Sequence, residues 1–167
     1  MAITIQKARP EDAQAILDYL KMIGGESDNL SFGSEGMGIP VEAEIQYLES
    51  MEKSETAIML AAKDGDRIVG TASFSAYPRE RMKHRGEISV SVLKAYWGNG
   101  VGTRLMEQVI DFAKYAGMEI ISLEVRSDNA RAIRLYEKLG FEKIGVFKGF
   151  FKIGKELIDF DLMNLYL

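Results

Sequence analysis

Three glycines separated by single residues, Gly98, Gly100 and Gly102, lie between two stretches of different period. Before them Ile88, Val90 and Val92 alternate with Glu87, Ser89 and Ser91, as in a strand. After them Val101, Leu105 and Val109 share one face of a helix. Glycine at alternate positions lets the backbone pass close to another group and turn several N–H donors toward one point. Strand, turn and helix start together make an anion site, because the first helical amides are unpaired and the dipole is positive there. The chemistry expected of this stretch is the binding of a phosphate.

Which phosphate ligand is decided by what the loop lacks. A nucleoside-triphosphate loop needs Lys and then Ser or Thr after its last glycine, and here Gly102 is followed by Thr103-Arg104. A dinucleotide fingerprint G-x-G-x-x-G fails at Thr103 counted from Gly98 and at Leu105 counted from Gly100. The pattern that fits is Gln/Arg-x-x-Gly-x-Gly/Ala, which holds the pyrophosphate of coenzyme A in the GNAT superfamily of N-acetyltransferases. Tyr96-Trp97-Gly98-Asn99-Gly100-Val101-Gly102 resembles it in both glycines and departs from it at Trp97, where the family carries Gln or Arg. The departure costs little if backbone amides carry most of the grip. A second signature follows at the right distance. The run from Val125 through Asn129, Ala132, Leu135 and Tyr136 to Gly140-Phe141 is similar to the family's V-x-x-x-N-x-x-A-x-x-L-Y-x-x-x-G-F segment. The two motifs cover residues 86–141.

The resemblance implies an acetyl-CoA-dependent transfer to a primary amine, by direct attack in a ternary complex. It implies a mixed, mostly antiparallel sheet with helices on both faces, splayed between its fourth and fifth strands. Backbone groups of the strand ending at Val90, Val92 and Leu93 would hold the pantetheine arm as an added strand. Trp97, Gly98, Asn99, Gly100, Val101, Gly102 and Thr103 would hold the pyrophosphate, and Asn129 would cap its helix and touch the pantetheine. Tyr136 matches the family's tyrosine beside the sulfur, the general acid; a phenol with an ordinary pKa of about 10 keeps its proton at neutral pH and can donate it.

The base is read from the strand itself. Strands covered on both faces are apolar throughout, yet Glu87, Ser89 and Ser91 make one side polar, so that side lines a cleft. The Glu87 carboxylate there could take the amine's proton, with Glu124 in reserve and a water chain as the alternative to both. In the long aperiodic run from Glu26 to Gly38, Glu26, Asp28 and Phe32 are candidate acceptor contacts, with Ser89 on the strand. The acidic Glu26, Asp28, Glu35 and Glu87 lean toward a small cationic amine, with a peptide amine as the other acceptor class the resemblance implies. A non-catalytic acyl-CoA-binding or sensor domain is the rival reading.

The elements that must position these groups follow in order. Ile3 to Ala8 reads as a strand; Pro10-Glu11-Asp12 opens a helix carrying Ala13, Ile16, Leu17 and Leu20 that stops at Gly24-Gly25. Pro40 to Met51 is helical; Thr56 to Ala62 and Ile68 to Ser75 form a hairpin around Asp64-Gly65. Beyond the glycine loop come a helix to Gly117, a strand from Ile121, a helix from Ser127-Asp128-Asn129, and two strands, Glu142–Lys152 and Leu157–Leu165. The order β-α-α-β-β-β-α-β-α-β-β is that of one α/β domain over 1–167.

Composition sets the outer bounds. The chain has 167 residues, 47% hydrophobic and 28% charged, as in an ordinary globular domain. With no cysteine and one histidine, His84 in a charged run, it offers no thiol nucleophile, no zinc cage and no Ser–His–Asp triad. A net charge of −4 argues against a broad nucleic-acid surface, and no apolar run approaches a membrane span. The expectation is a cytoplasmic protein without a metal, and the resemblance implies a homodimer through the C-terminal strands.

Overall fold

The computed structural model describes residues 2–167. Its elements are β1 (Ile3–Lys7), α1 (Ala13–Glu26), α2 (Val41–Lys53), β2 (Ala57–Asp64), β3 (Arg67–Ala76), β4 (Arg85–Val92), α3 (Val101–Tyr115), β5 (Ile120–Arg126), α4 (Ala130–Lys138), β6 (Glu142–Ile153) and β7 (Glu156–Tyr166). The strands form one sheet in the order β1-β2-β3-β4-β5-β7-β6, antiparallel except where β4 meets β5. This is the mixed, mostly antiparallel α/β architecture that the sequence pattern calls for.

Helices lie against both faces of the sheet, leaving the Glu87 end of β4 open on one of them. Residues alternate across β3 and β4, pairing Gly70 with Val92, Thr71 with Ser91 and Ala72 with Val90. On one face the Tyr19 hydroxyl of α1 lies 2.8 Å from Ser91 Oγ. On the other, α3 comes so close that a Cβ on Gly70 would stand 3.2 Å from Leu105 Cδ1. Ile16 and Leu48 are fully buried on the helices α1 and α2, as are Leu105 and Val109 on α3. Each such side chain contributes about 1.5–3 kcal/mol of transfer free energy, before the entropy of ordering it.

The sheet is two ladders joined by a short seam. β3 and β4 pair from Gly70–Val92 to Ala76–Gly86, and β5 and β7 pair along all of Ile120–Arg126. Between them β4 and β5 pair only at Arg85–Ile120, Gly86–Ile121 and Glu87–Ser122. Beyond Glu87 the strands part.

Two expectations are corrected at the N-terminal helix. Pro10 opens a separate 3-10 turn, Pro10–Asp12, ahead of α1. The helix then runs through Gly24-Gly25 to Glu26, because neither glycine takes a positive φ. Gly24 serves a close approach: a Cβ there would lie 2.0 Å from the carbonyl oxygen of Gly33, where the following loop crosses the helix. At Gly25 the nearest atom is Ser34 Cβ at 3.5 Å, an ordinary contact. Gly24→Ala is therefore expected to destabilise by about 1–3 kcal/mol through overpacking against backbone, whereas Gly25→Ala gains about 0.5–1 kcal/mol of helix propensity. Urea denaturation of the two variants checks this; similar effects of the same sign would contradict it.

Candidate active site

The parting strands expose backbone in a definite pattern. The Leu93 N–H donates to the Val69 carbonyl at 2.9 Å, and the Arg85 carbonyl accepts from the Tyr77 N–H at 3.0 Å. Odd-numbered residues of β4 thus turn their backbone groups toward β3, and even-numbered ones turn theirs toward β5. Because β5 is paired only as far as Glu87–Ser122, a pairing that engages the Ile88 N–H, it is the Ile88 carbonyl and the backbone groups of Val90 and Val92 that point into the gap. The Val92 carbonyl has a partner, the indole N–H of Trp97 at 2.8 Å.

The gap opens into a cleft of about 470 Å³ lined by Val90, Val92, Trp97, Asn129 and Tyr136, and by Gly98, Gly100, Val101, Gly102 and Thr103 of the loop. Gly98 and Gly100 have φ of +77° and +75°, a conformation that favours glycine. Gly100 immediately precedes α3, so the amides of Val101, Gly102 and Thr103 are the unpaired first donors of that helix. A Cβ on Gly102 would lie 3.6 Å from Leu135 Cδ2 and 3.8 Å from Val92 Cγ2, so the loop, α4 and the end of β4 converge. Asn129 caps α4 by accepting from the Ala132 N–H at 3.2 Å.

Tyr136 is 8% exposed and borders the cleft. Burial pushes its phenol up to about 12, so it stays protonated at neutral pH. Its ring is set edge-on to Phe141, 5.9 Å between centroids. Tyr19 is likewise pushed up to about 12, first by burial, and ends against Ser91 at the inner side of the cleft.

Other expected residues stand elsewhere. Leu93 is a core residue whose N–H is spent on Val69. The Asn99 side chain folds back onto the carbonyls of Trp97 at 3.2 Å and Tyr96 at 3.4 Å. Glu26 accepts from the Lys94 N–H at 2.9 Å, and the Asp28 carbonyl accepts from Arg126 at 3.3 Å. Phe32 packs against the core near Gly24. From that loop it is Ser27, Asn29 and Leu30 that reach the cleft. An aperiodic loop gives no pattern from which to read which residues turn inward. Arg131, Arg134 and Lys138 also line the cleft, and their i, i+3, i+7 spacing was the available signal.

Glu87 and Ser89 lie outside the cleft on the open polar face of β4. Ser89 Oγ is 2.8 Å from Ser73 Oγ, and the Tyr77 hydroxyl donates to Glu87 Oε1 at 2.5 Å. Glu124 stands beside Glu87, its carboxyl raised above the ordinary range first by desolvation and then by the neighbouring charge. Among the described residues no group of three or more His, Cys, Asp or Glu is placed to hold a metal. No described helix is long and apolar enough to cross a membrane.

Residues 28–141 match the sequence profile of the acetyltransferase (GNAT) family. The chain belongs to this family. Among its GNAT relatives is the N-alpha-acetyltransferase RimI of Mycobacterium tuberculosis, 32% identical over 94 residues, 56% of this chain. The match spans 58% of that protein's length. A GNAT-family acetyltransferase from Streptococcus pneumoniae superposes with a TM-score of 0.95 at 29% identity, covering 99% of both chains. A putative acetyltransferase from Salmonella typhimurium, solved with its cofactor acetyl-CoA, shares the fold: TM-score 0.85, 22% identity, 99% of this chain and 94% of that one.

The raised carboxyl of Glu124 has a pH signature. Its folded value lies above the ordinary 4.5, so its contribution to stability is complete below the unfolded pKa and is lost as pH rises through the folded one. Glu124→Gln removes that loss. The variant should lose less stability than the parent between about pH 4 and about pH 7, read as urea midpoints, and identical pH slopes would contradict the assignment.

Proposed function

We propose that this chain is an acetyl-CoA-dependent N-acetyltransferase that passes the acetyl group directly to a primary amine in a ternary complex, with 1–167 acting as one domain. The observation that carries the reading is the meeting, in one cleft, of three features: unpaired backbone at Val90 and at the Val92 N–H, the left-handed glycine turn, and a protonated phenol. These fit the three parts of acetyl-CoA in order: a pantetheine amide chain, a diphosphate and a thioester. When bound, that molecule supplies an acyl group already activated as a thioester.

The chain's own groups do the rest. The Ile88 carbonyl and the Val90 backbone offer the pairing that an added strand needs, and the amides of Val101 to Thr103 offer donors to phosphate oxygens. The Val92 N–H is the donor placed to stabilise charge on a carbonyl oxygen. Tyr136, held protonated by burial, donates to the departing sulfur. Glu87, with Glu124 beside it, accepts the amine's proton directly or through water. An amine with a pKa of about 10 arrives mostly charged, and the exposed carboxylates of this face suit such an acceptor, a small cationic amine or a peptide amine. The mycobacterial relative is named for an α-amine activity, which supports the peptide choice. Exposed Ile144, Val146, Phe147 and Leu157 on the β6–β7 hairpin support pairing with a second copy.

The test is CoA release over a panel of amines, amino acids and peptides. The parent should release thiol with at least one acceptor, and Tyr136→Phe should lower kcat about 10²-fold with little change in KM for acetyl-CoA. Unchanged kcat in that variant would remove Tyr136 from the chemistry. Acetyl-CoA binding without release for any acceptor would leave a non-catalytic acyl-CoA binder.

A further inference from the structure

The glycine loop supplies amides but carries no cation. Residues 96–103 contain no Lys or Arg, and the chain as a whole is acidic. Arg104, next in sequence, is committed elsewhere: its guanidinium donates to the Ile3 carbonyl at 3.2 Å. A diphosphate seated on the loop would therefore meet fixed dipoles but no counter-charge from the loop's own segment.

The counter-charge comes across the cleft, from α4. The Arg131 guanidinium carbon lies 4.9 Å over the ring of Trp97, and a Cβ on Gly98 would be 4.0 Å from Arg131 Nη2. Trp97 is itself fixed, since its indole N–H is bonded to the Val92 carbonyl at 2.8 Å. The ring is thus pinned to the end of β4 and offers its face to a planar cation, an arrangement that guanidinium suits better than ammonium. Among the described residues Arg131 makes no ion pair and no hydrogen bond, so its donors remain available beside the loop.

We propose that Arg131, held on the ring of Trp97, is the cation that binds the ligand's diphosphate at the glycine loop, and that Trp97 is its positioning residue. Trp97 links the two ends of the ligand site. Its N–H closes the last open carbonyl of β4, and its face holds the charge that meets the phosphates. The inference rests on the reading of the cleft as a coenzyme A site, and adds to it a residue outside the loop.

Calorimetric titration with coenzyme A and with pantetheine, which has no phosphate, tests it. Arg131→Gln should weaken coenzyme A about tenfold, as loss of a charge-assisted contact does, while leaving pantetheine unchanged. The variant's affinity should also fall less steeply with salt. Arg131→Lys should recover only part of the loss. Trp97→Leu should weaken coenzyme A in the same sense, and adding Arg131→Gln to it should cost little more. Arg104→Gln, the control, should bind like the parent. Equal coenzyme A affinity in parent and Arg131→Gln, or equal weakening of pantetheine, would overturn the proposal while the cleft reading stands. Failure of the parent to bind coenzyme A at all would overturn both.

Discussion

A strand that loses its neighbour half-way along leaves amides and carbonyls that something else must satisfy. In this protein that strand is β4. Its partner β3 holds one edge over seven residue pairs, while β5 holds the other over three. β5 cannot follow because it is itself paired along its whole length to β7. Two well-made ladders meeting at a short seam must open past that seam, and the opening is where the functional groups collect. The glycine turn stands at the end of β4 and Asn129 stands beyond the end of β5, so both follow from the same divergence.

The same geometry sorts the titratable groups into two environments. Tyr136 and Tyr19 are carried by helices packed against the sheet and are kept protonated chiefly by burial. Glu87 and Glu124 lie near the seam, on the face open to solvent. Tyr77 donates to Glu87 and is pushed up to about 12, first by desolvation and then by that bond, so it orients the carboxylate without competing for its proton. A buried phenol and exposed carboxyls on opposite sides of a split sheet are the arrangement on which the proposed acid and base roles rest.

Much of this was legible in the residues, and the misses have a common cause. The order of elements, the glycine turn and the place of Tyr136 are local facts, encoded in period and short spacing. Gly24 was read as a helix stop because sequence cannot show the chain at Gly33 returning across it. The choice of Glu26, Asp28 and Phe32 over Ser27, Asn29 and Leu30 rested on residue chemistry in a loop without period, and chemistry does not say which way a side chain turns. Nothing in the sequence around Arg131 marks it out from Arg134 or Lys138. Only the approach of α4 to the loop sets it against Trp97, and only then does the tryptophan at that position acquire a reason.

The central claim is that the Val90 backbone groups and the Val92 N–H stand open until a ligand pairs with them. Residue-resolved amide hydrogen exchange measures this directly. Without ligand, the amides of Val90 and Val92 should exchange faster than those of Ser89 and Ser91, which face β3, and saturating acetyl-CoA should slow them markedly. Protection of Val90 and Val92 already present in the free protein, or no slowing with ligand bound, would contradict the account.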